Sequence, residues 1–333
     1  MTKQVQYVTA SAIAVLFMAA GCTSTPTASP VATASPVASA SPSPAASPTP
    51  TAELLCTLPV DRGLGTLFGI PSYPLALPPD DPSSAVTLPD GEPRVGLSYD
   101  WAVKRWLPVP YNWVAADGGH YAYTDAQSRI HLVTVTGGFD QILASGATWG
   151  IYSYGAGGIY AGQQDLTKQP SLRGLWRISP AGGAPEQLTS QGSWPVIGAD
   201  AAWSVASSPQ SQVSADGYGT VLSRFDLLSR QVTTEYLSTG GDFRVATVDT
   251  NGRPFLVSRS GQGSSNTISV VRSLGTAQTI GSATHIIDVM ADPHGVWYVD
   301  NFTRNIYLVQ STVPQLMGQY GYSGNIKFAG PCQ

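Results

Sequence analysis

Charge is what this sequence has least of: 11% of its 333 residues are Asp, Glu, Lys or Arg, where ordinary soluble domains carry about 25%. Glu is scarce, accounting for four of the 21 acids. A helical bundle covers its surface with Glu and Lys, so the shortage excludes that class. The 17 basic residues form no dense run and leave a net charge of −4, which gives no electrostatic footprint for nucleic acid. Histidine is equally thin: His120, His131, His285 and His294 stand alone, with no HxH or HExxH pairing that would suggest a metal site. A GxSxG elbow and a P-loop are missing, and the DTNG stretch at Asp249 is too short for a calcium loop. The residues therefore nominate no catalytic group, no metal and no cofactor.

Long apolar runs are also missing, apart from the uncharged stretch from Val8 to Gly21 behind Lys3. Its 14 residues fall short of the roughly 20 needed to span a bilayer, so residues 1–21 read as a signal peptide. The ending Ala19-Ala20-Gly21-Cys22 resembles the lipobox of bacterial lipoproteins, which implies cleavage before Cys22 and acylation of its thiol. Residues 23–52 hold only Thr, Ser, Pro, Ala and Val, with seven prolines, a composition that cannot bury a core. Residues 22–52 are thus expected to be a disordered tether, extended enough to hold a domain up to ~90 Å from its anchor at about 3.1 Å per residue. The expected location is the outer face of the bacterial cell membrane, or an outer membrane if the host has one.

What is abundant begins at Glu53. Across the chain there are 35 Gly, 26 Pro, 8 Trp, 15 Tyr and 8 Phe, a mixture suited to many short strands and tight turns. Six hairpins recur: Arg94 to Val109, Arg129 to Leu143, Gly174 to Leu188, Thr220 to Leu237, Thr267 to Ile280 and Asn305 to Met317. Each is followed by a short polar step and a residue that opens another strand: Trp113, Trp149, Trp194, Phe243, His285 and Asn325. Their spacings of 36, 45, 49, 42 and 40 residues match the about 40–50 residues of a four-stranded propeller blade. Between that strand and the next lie Asp- and Gly-rich turns, ADGG, GAGG, DTNG and ADPHG, supplying side-chain caps and positive φ. The pattern predicts an all-β chain whose residues 53–333 form a six-bladed β-propeller; a parallel β-helix and a β-sandwich fit it less well.

Two segments carry a family resemblance. LWRISPAGGAPEQLT (Leu175 to Thr189) resembles the repeat of TolB-type propellers, and HGVWYVDNFTRNIYLV (His294 to Val309) is similar to blades of NHL and streptogramin-lyase-type propellers. The resemblance implies the fold and no particular activity.

The last opening residue, Asn325, has only one strand after it, and the hairpin at 94–109 has no inner strand before it. The C-terminal strand, about 325–330, is therefore predicted to complete the blade whose outer strands come from residues 57–109. Cys56 and Cys332 fall at this seam and, in an exported chain, are expected to form a disulfide.

In propellers of this kind the loops entering the inner strands share a face with the loops between second and third strands. That implies a candidate binding funnel at Trp113, Trp149, Trp194, Phe243, His285 and Asn325, ringed by the loops Gly162 to Arg173, Ser207 to Gly219 and Ser258 to Asn266 and by the Pro-rich insertion Pro71 to Ala85. The same residues could instead pack between blades, and both roles stand open. Asp125 and Asp300, ending the equivalent strands YTD and YVD, are expected to cap turns. The expected role is a monomeric, membrane-anchored binding or protein-interaction scaffold for an envelope protein, glycan or peptide. The alternative is a hydrolase or lyase acting on a glycan or peptide at the funnel.

Overall fold

The computed structural model describes residues 54–71, 86–167, 171–207, 217–259, 265–321 and 324–333, all within the unit Thr51–Gln333. The expected signal peptide, Cys22 and the expected tether lie outside the described residues, as do most of the insertion at 71–85 and the centres of the three loops expected around the funnel. No helix among the described residues is long and apolar enough to cross a membrane.

The strands follow the repeats. β1 (Cys56–Asp61), β2 (Gly65–Ile70), β3 (Ser98–Asp100) and β4 (Arg105–Leu107) come first, followed by β5 (His120–Thr124), β6 (Ile130–Thr134) and β7 (Asp140–Ala144). Four regular antiparallel sheets then succeed one another. The first holds β8 (Trp149–Gly155), β9 (Gly158–Gln164), β10 (Leu172–Ile178) and β11 (Glu186–Thr189). The second holds β12 (Val196–Ile197), β13 (Ala201–Ala206), β14 (Val221–Asp226) and β15 (Val232–Leu237). The third holds β16 (Phe243–Val248), β17 (Pro254–Arg259), β18 (Asn266–Ser273) and β19 (Thr276–Ala283). The fourth holds β20 (Ile286–Asp292), β21 (Gly295–Asp300), β22 (Asn305–Val309) and β23 (Pro314–Gln319). In β5-β6-β7 the inner strand is reduced to a bridge between Val114 and Tyr121. The last strand, β24 (Lys327–Phe328), pairs with β1 in the sheet β2-β1-β24.

Turn chemistry sets these boundaries. Asp125 Oδ1 accepts from the N–H groups of Gln127 and Arg129 at 3.0 and 2.8 Å. Asp249 does the same for Asn251 and Arg253, and Asp300 accepts from Phe302, so the expected capping role is what the structure contains. Gly158 and Gly295 open second strands at φ +123° and +142°; a Cβ there would lie 2.7 Å from the Ile178 carbonyl oxygen and 2.4 Å from that of Val309. Both turns therefore require glycine.

The six-unit ring is present, with one revision at its closing unit. There the single four-stranded blade expected from residues 57–109 and the C-terminus is divided into β2-β1-β24 and a separate two-stranded sheet, β3-β4. Two features keep them apart. Pro108 and Pro110 follow β4 and have no N–H to extend a ladder, and Trp106 lies flat on Gly65, where a Cβ would be 2.4 Å from the indole. The two sheets thus meet mainly through side chains, with one backbone hydrogen bond, Tyr99 N–H to Ala329 O, linking them. Seven sheets result, and seven buried apolar clusters lie one at each junction: Trp297, Phe68 and Ile326 fill the junction of β20–β23 with β2-β1-β24, Leu97, Trp106 and Ala329 the next, and Leu107, Val109 and Tyr123 the one after. The remaining four clusters continue around to β20–β23. Among the described residues each sheet thus has an apolar cluster on both faces.

The closing segment is held along its length. Ala329 N–H donates to Pro59 O, Thr57 and Gln333 exchange two backbone hydrogen bonds, and Tyr99 N–H reaches Ala329 O at 2.7 Å. Cys56 and Cys332 form the expected disulfide, with Cα atoms 5.6 Å apart across 276 residues of sequence. Replacing both by Ser is expected to reduce the unfolding free energy by about 2–5 kcal/mol, measured by chemical denaturation. An unchanged midpoint would show that hydrogen bonds and packing suffice to close the ring.

Candidate functional site

The series that opens the inner strands does not converge on a funnel. Trp149 is 4% exposed and sits between β5-β6-β7 and β8–β11, edge-on to Trp176 with centroids 5.6 Å apart. Trp194, equally buried, lies between the sheets of β8–β11 and β12–β15 against Phe225, its Nε1 donating to Gln191 O. Phe243 fills the following seam beside Tyr236. Trp113 is half-buried and packs on two clusters, while His285 and Asn325 are exposed. The reason is geometric. Strand side chains stand perpendicular to their sheet, and in a ring of radial sheets that direction points at the neighbouring sheet and not at the axis. Large apolar residues on inner strands accordingly become wedges. The Trp149 indole N–H has no acceptor, so packing alone holds it.

The central space is instead a cavity of about 450 Å³ that takes residues from five of the seven sheets and from the segments before β3 and after β4. One sector, on β12, β16 and β20, is apolar, with Val196, Ile197, Val248 and Val289. The charged groups gather where β20 meets β1 and β24. Asp61 and Lys327 face each other in the register of β1 and β24, and Asp288 on β20 accepts a hydrogen bond from Phe328 N–H at 2.7 Å. Burial pushes the Asp288 carboxyl up to about 6, against the opposing pull of the Phe328 and Val289 N–H groups and the charges of Arg244 and Lys327. Asp61 also caps its own turn, accepting from Gly63 N–H at 2.8 Å. None of these three was singled out from the sequence. Asp288 left one trace: a lone acid inside the apolar run IIDVM.

Histidine and acid do meet elsewhere. His131, 6% exposed on β6, places Nδ1 2.9 Å from Asp140 and Nε2 3.1 Å from Asp125, and its ring stacks on Tyr123. Tyr123 Oη donates to the other oxygen of Asp140. Burial opposes charge on Asp125, yet the backbone and guanidinium of Arg129 together with His131 hold its carboxyl below the usual range. Both ring nitrogens are engaged by carboxylates, so no nitrogen is left to serve a substrate. The cluster clasps the three strands of its own sheet. His294 Nε2 contacts Cys332 O at 3.1 Å. Among the described residues no three His, Cys, Asp or Glu side chains are grouped to hold a metal ion.

No family model and no curated protein sequence matches the chain. Similar solved structures include an auxiliary nutrient binding protein from Bacteroides thetaiotaomicron, at 12% identity and TM-score 0.36 over 69% of this chain. This chain spans 59% of that protein. TolB from Acinetobacter baumannii aligns at 11% identity and TM-score 0.35, covering 82% of this chain and 64% of TolB. A catalytically inactive virginiamycin B lyase from Staphylococcus aureus, solved with quinupristin, aligns at 14% identity and TM-score 0.43, covering 80% and 87%.

Two outcomes follow from this geometry. Trp149→Ala is expected to destabilise by about 3–5 kcal/mol, as removal of a buried indole does, and a melting curve unchanged from wild type would return Trp149 to a surface role. For Asp288, a folded pKa near 6 above an unfolded value of 3.8 means that its contribution is fully present below about pH 4 and is lost as pH rises through 6. Asp288→Asn should therefore be more stable than wild type at pH 8, by up to about 3 kcal/mol at 1.36 kcal/mol per pH unit. The advantage should vanish by pH 4. Stability differences independent of pH would contradict the assignment.

Proposed function

We propose that this protein is an exported propeller, anchored to the membrane through acylated Cys22, that serves as a binding or interaction scaffold with the central cavity as its working site. The observation that carries this reading is the cavity itself. Its volume of about 450 Å³ falls among the roughly 300–1,000 Å³ of small-molecule sites, and it joins an apolar wall to a few convergent polar groups, as such sites do. Binding is favoured over catalysis by the prior engagements of its acids: Asp61 caps a turn and Asp288 receives backbone N–H groups, and no histidine lines the space. The Cys56–Cys332 disulfide supports an oxidising compartment, and the lipobox-like Ala19-Ala20-Gly21-Cys22 supports the anchor.

Expression of the full chain in a bacterial host tests both halves. Cys22→Ala is expected to move the protein from the membrane fraction to the soluble one, and continued membrane retention would overturn the anchor. Native mass spectrometry of protein extracted from the envelope should show a co-purifying ligand. Ser153→Trp, which places an indole on the cavity wall, should remove it without lowering the melting temperature. Equal retention by this variant would place binding elsewhere.

A further inference from the structure

A second cavity, of about 180 Å³, lies where the turn after β3, the turn before β5 and the C-terminal segment meet. Its walls include three aromatic rings, Tyr99, Trp101 and Tyr111, and two acids, Asp100 and Asp117. Asp100 is 5% exposed. Its Oδ1 accepts from Ala102 and Val103 N–H groups at 2.8 and 3.2 Å, but Oδ2 is buried with no hydrogen-bond partner. A buried carboxylate oxygen without a donor is costly and needs a reason. The chain accommodates it closely: Gly118, at φ +70°, lies where a Cβ would sit 2.8 Å from the carboxylate. The aromatic wall is fixed as well, since Trp101 Nε1 donates to Pro331 O at 2.9 Å and the ring meets Tyr99 edge-on at 4.9 Å. Burial, and secondarily the field of a third acid, Asp292, raise the Tyr111 hydroxyl pKa. Lys104, in the same turn, does not line the space.

We propose that this cavity is a binding site for an alkylammonium group, with Asp100 Oδ2 as counter-ion and Trp101, Tyr99 and Tyr111 as the aromatic wall. The chemistry selects that class. Negative charge excludes anions. A hard metal ion takes six or more oxygens, and one free carboxylate oxygen beside Asp117 does not supply them. A cation next to aromatic faces gains about 0.5–2 kcal/mol from the rings, and a carboxylate gives it a charge-assisted hydrogen bond. The volume is below that of drug-sized sites, so it suits a terminal head group and not a whole large ligand. The inference stands apart from the central cavity and survives if that reading fails.

The test is calorimetric titration of full-length protein in detergent with methylammonium and tetramethylammonium chloride, each against sodium chloride of equal ionic strength. Saturable binding in the millimolar range is expected. Asp100→Asn, which keeps an oxygen for the Ala102 and Val103 N–H groups, should weaken it at least tenfold, and Trp101→Leu severalfold. Asp117→Asn, at an exposed position, should weaken it a few-fold and keeps the test open if the other variants fail to fold. A response no greater than that to sodium, equal binding by Asp100→Asn, or displacement of methylammonium by equimolar calcium chloride would overturn the proposal. If methylammonium binds and tetramethylammonium does not, the site takes primary amines, such as a lysine side chain or an ethanolamine head group. The reverse order assigns it to quaternary groups.

Discussion

Closure of the ring is the constraint on which everything else depends. Each sheet is apolar on both faces and is stable only between two neighbours, so an open ring would leave two such faces in water. The seal is made by strands from opposite ends of the chain. β24 pairs with β1 for only two residues, Val60 with Phe328 and Asp61 with Lys327, and so short a ladder could not hold alone. It is reinforced by the backbone bonds that continue to Gln333, by the Cys56–Cys332 disulfide, and by two carboxylates of β20. Asp288 and Asp292 accept from Phe328 and Cys332 N–H groups at 2.7 and 3.0 Å. Being four residues apart on one strand, they share a face, with Met290 between them in the apolar cluster of the same seam.

Those carboxylates answer a general problem of radial sheets. An inner strand is hydrogen-bonded on one edge only, and its other edge faces the axis. In the regular units the axial groups meet the central space; in the closing segment two backbone donors, one on β24 and one beyond it at Cys332, are taken by acids from the neighbouring sheet. One consequence is electrostatic. Withdrawing Asp288 from water raises its pKa, and Lys327 and Arg244 offset that only in part, so the seal carries a charge whose cost depends on pH.

Most of the repeat was legible because it rests on local chemistry. The hairpins, their Asp caps and their glycine turns are short-range features, and the predicted openings at Trp149 and Phe243 are the first residues of β8 and β16. The cysteine pair was legible too, since Cys56 and Cys332 flank the first and last strands expected to share one blade. Two things were hidden. The division of the closing unit depends on Trp106 lying on Gly65, a contact across 41 positions that no periodicity marks. The orientation of the aromatic series depends on which way a sheet's normal points in the assembled ring, and strand periodicity gives the face of a residue without saying what that face meets. The charged groups of the central cavity were hidden for a related reason: Asp61 looks like any turn cap, and Lys327 like any exposed lysine.

Both cavities have their charged groups at the closure, and the repeat explains why. In a regular seam each inner-strand position faces an equivalent neighbour on either side, and a charge there would be desolvated against apolar surface at a cost of several kcal/mol; accordingly those seams are filled by Trp149, Trp194 and Phe243. At the junction of β20, β24, β1 and β3 the partners are not equivalent, strands are short, and backbone donors are available to receive carboxylates. Asp288, Asp292 and Asp100 all stand there, each already holding backbone N–H groups. Of the three, only Asp100 retains a buried oxygen with nothing bound to it. The irregular seam that closes the fold is thus also the place where the fold can tolerate unneutralised charge, and a ligand that brought the missing counter-charge would tighten the closure by binding.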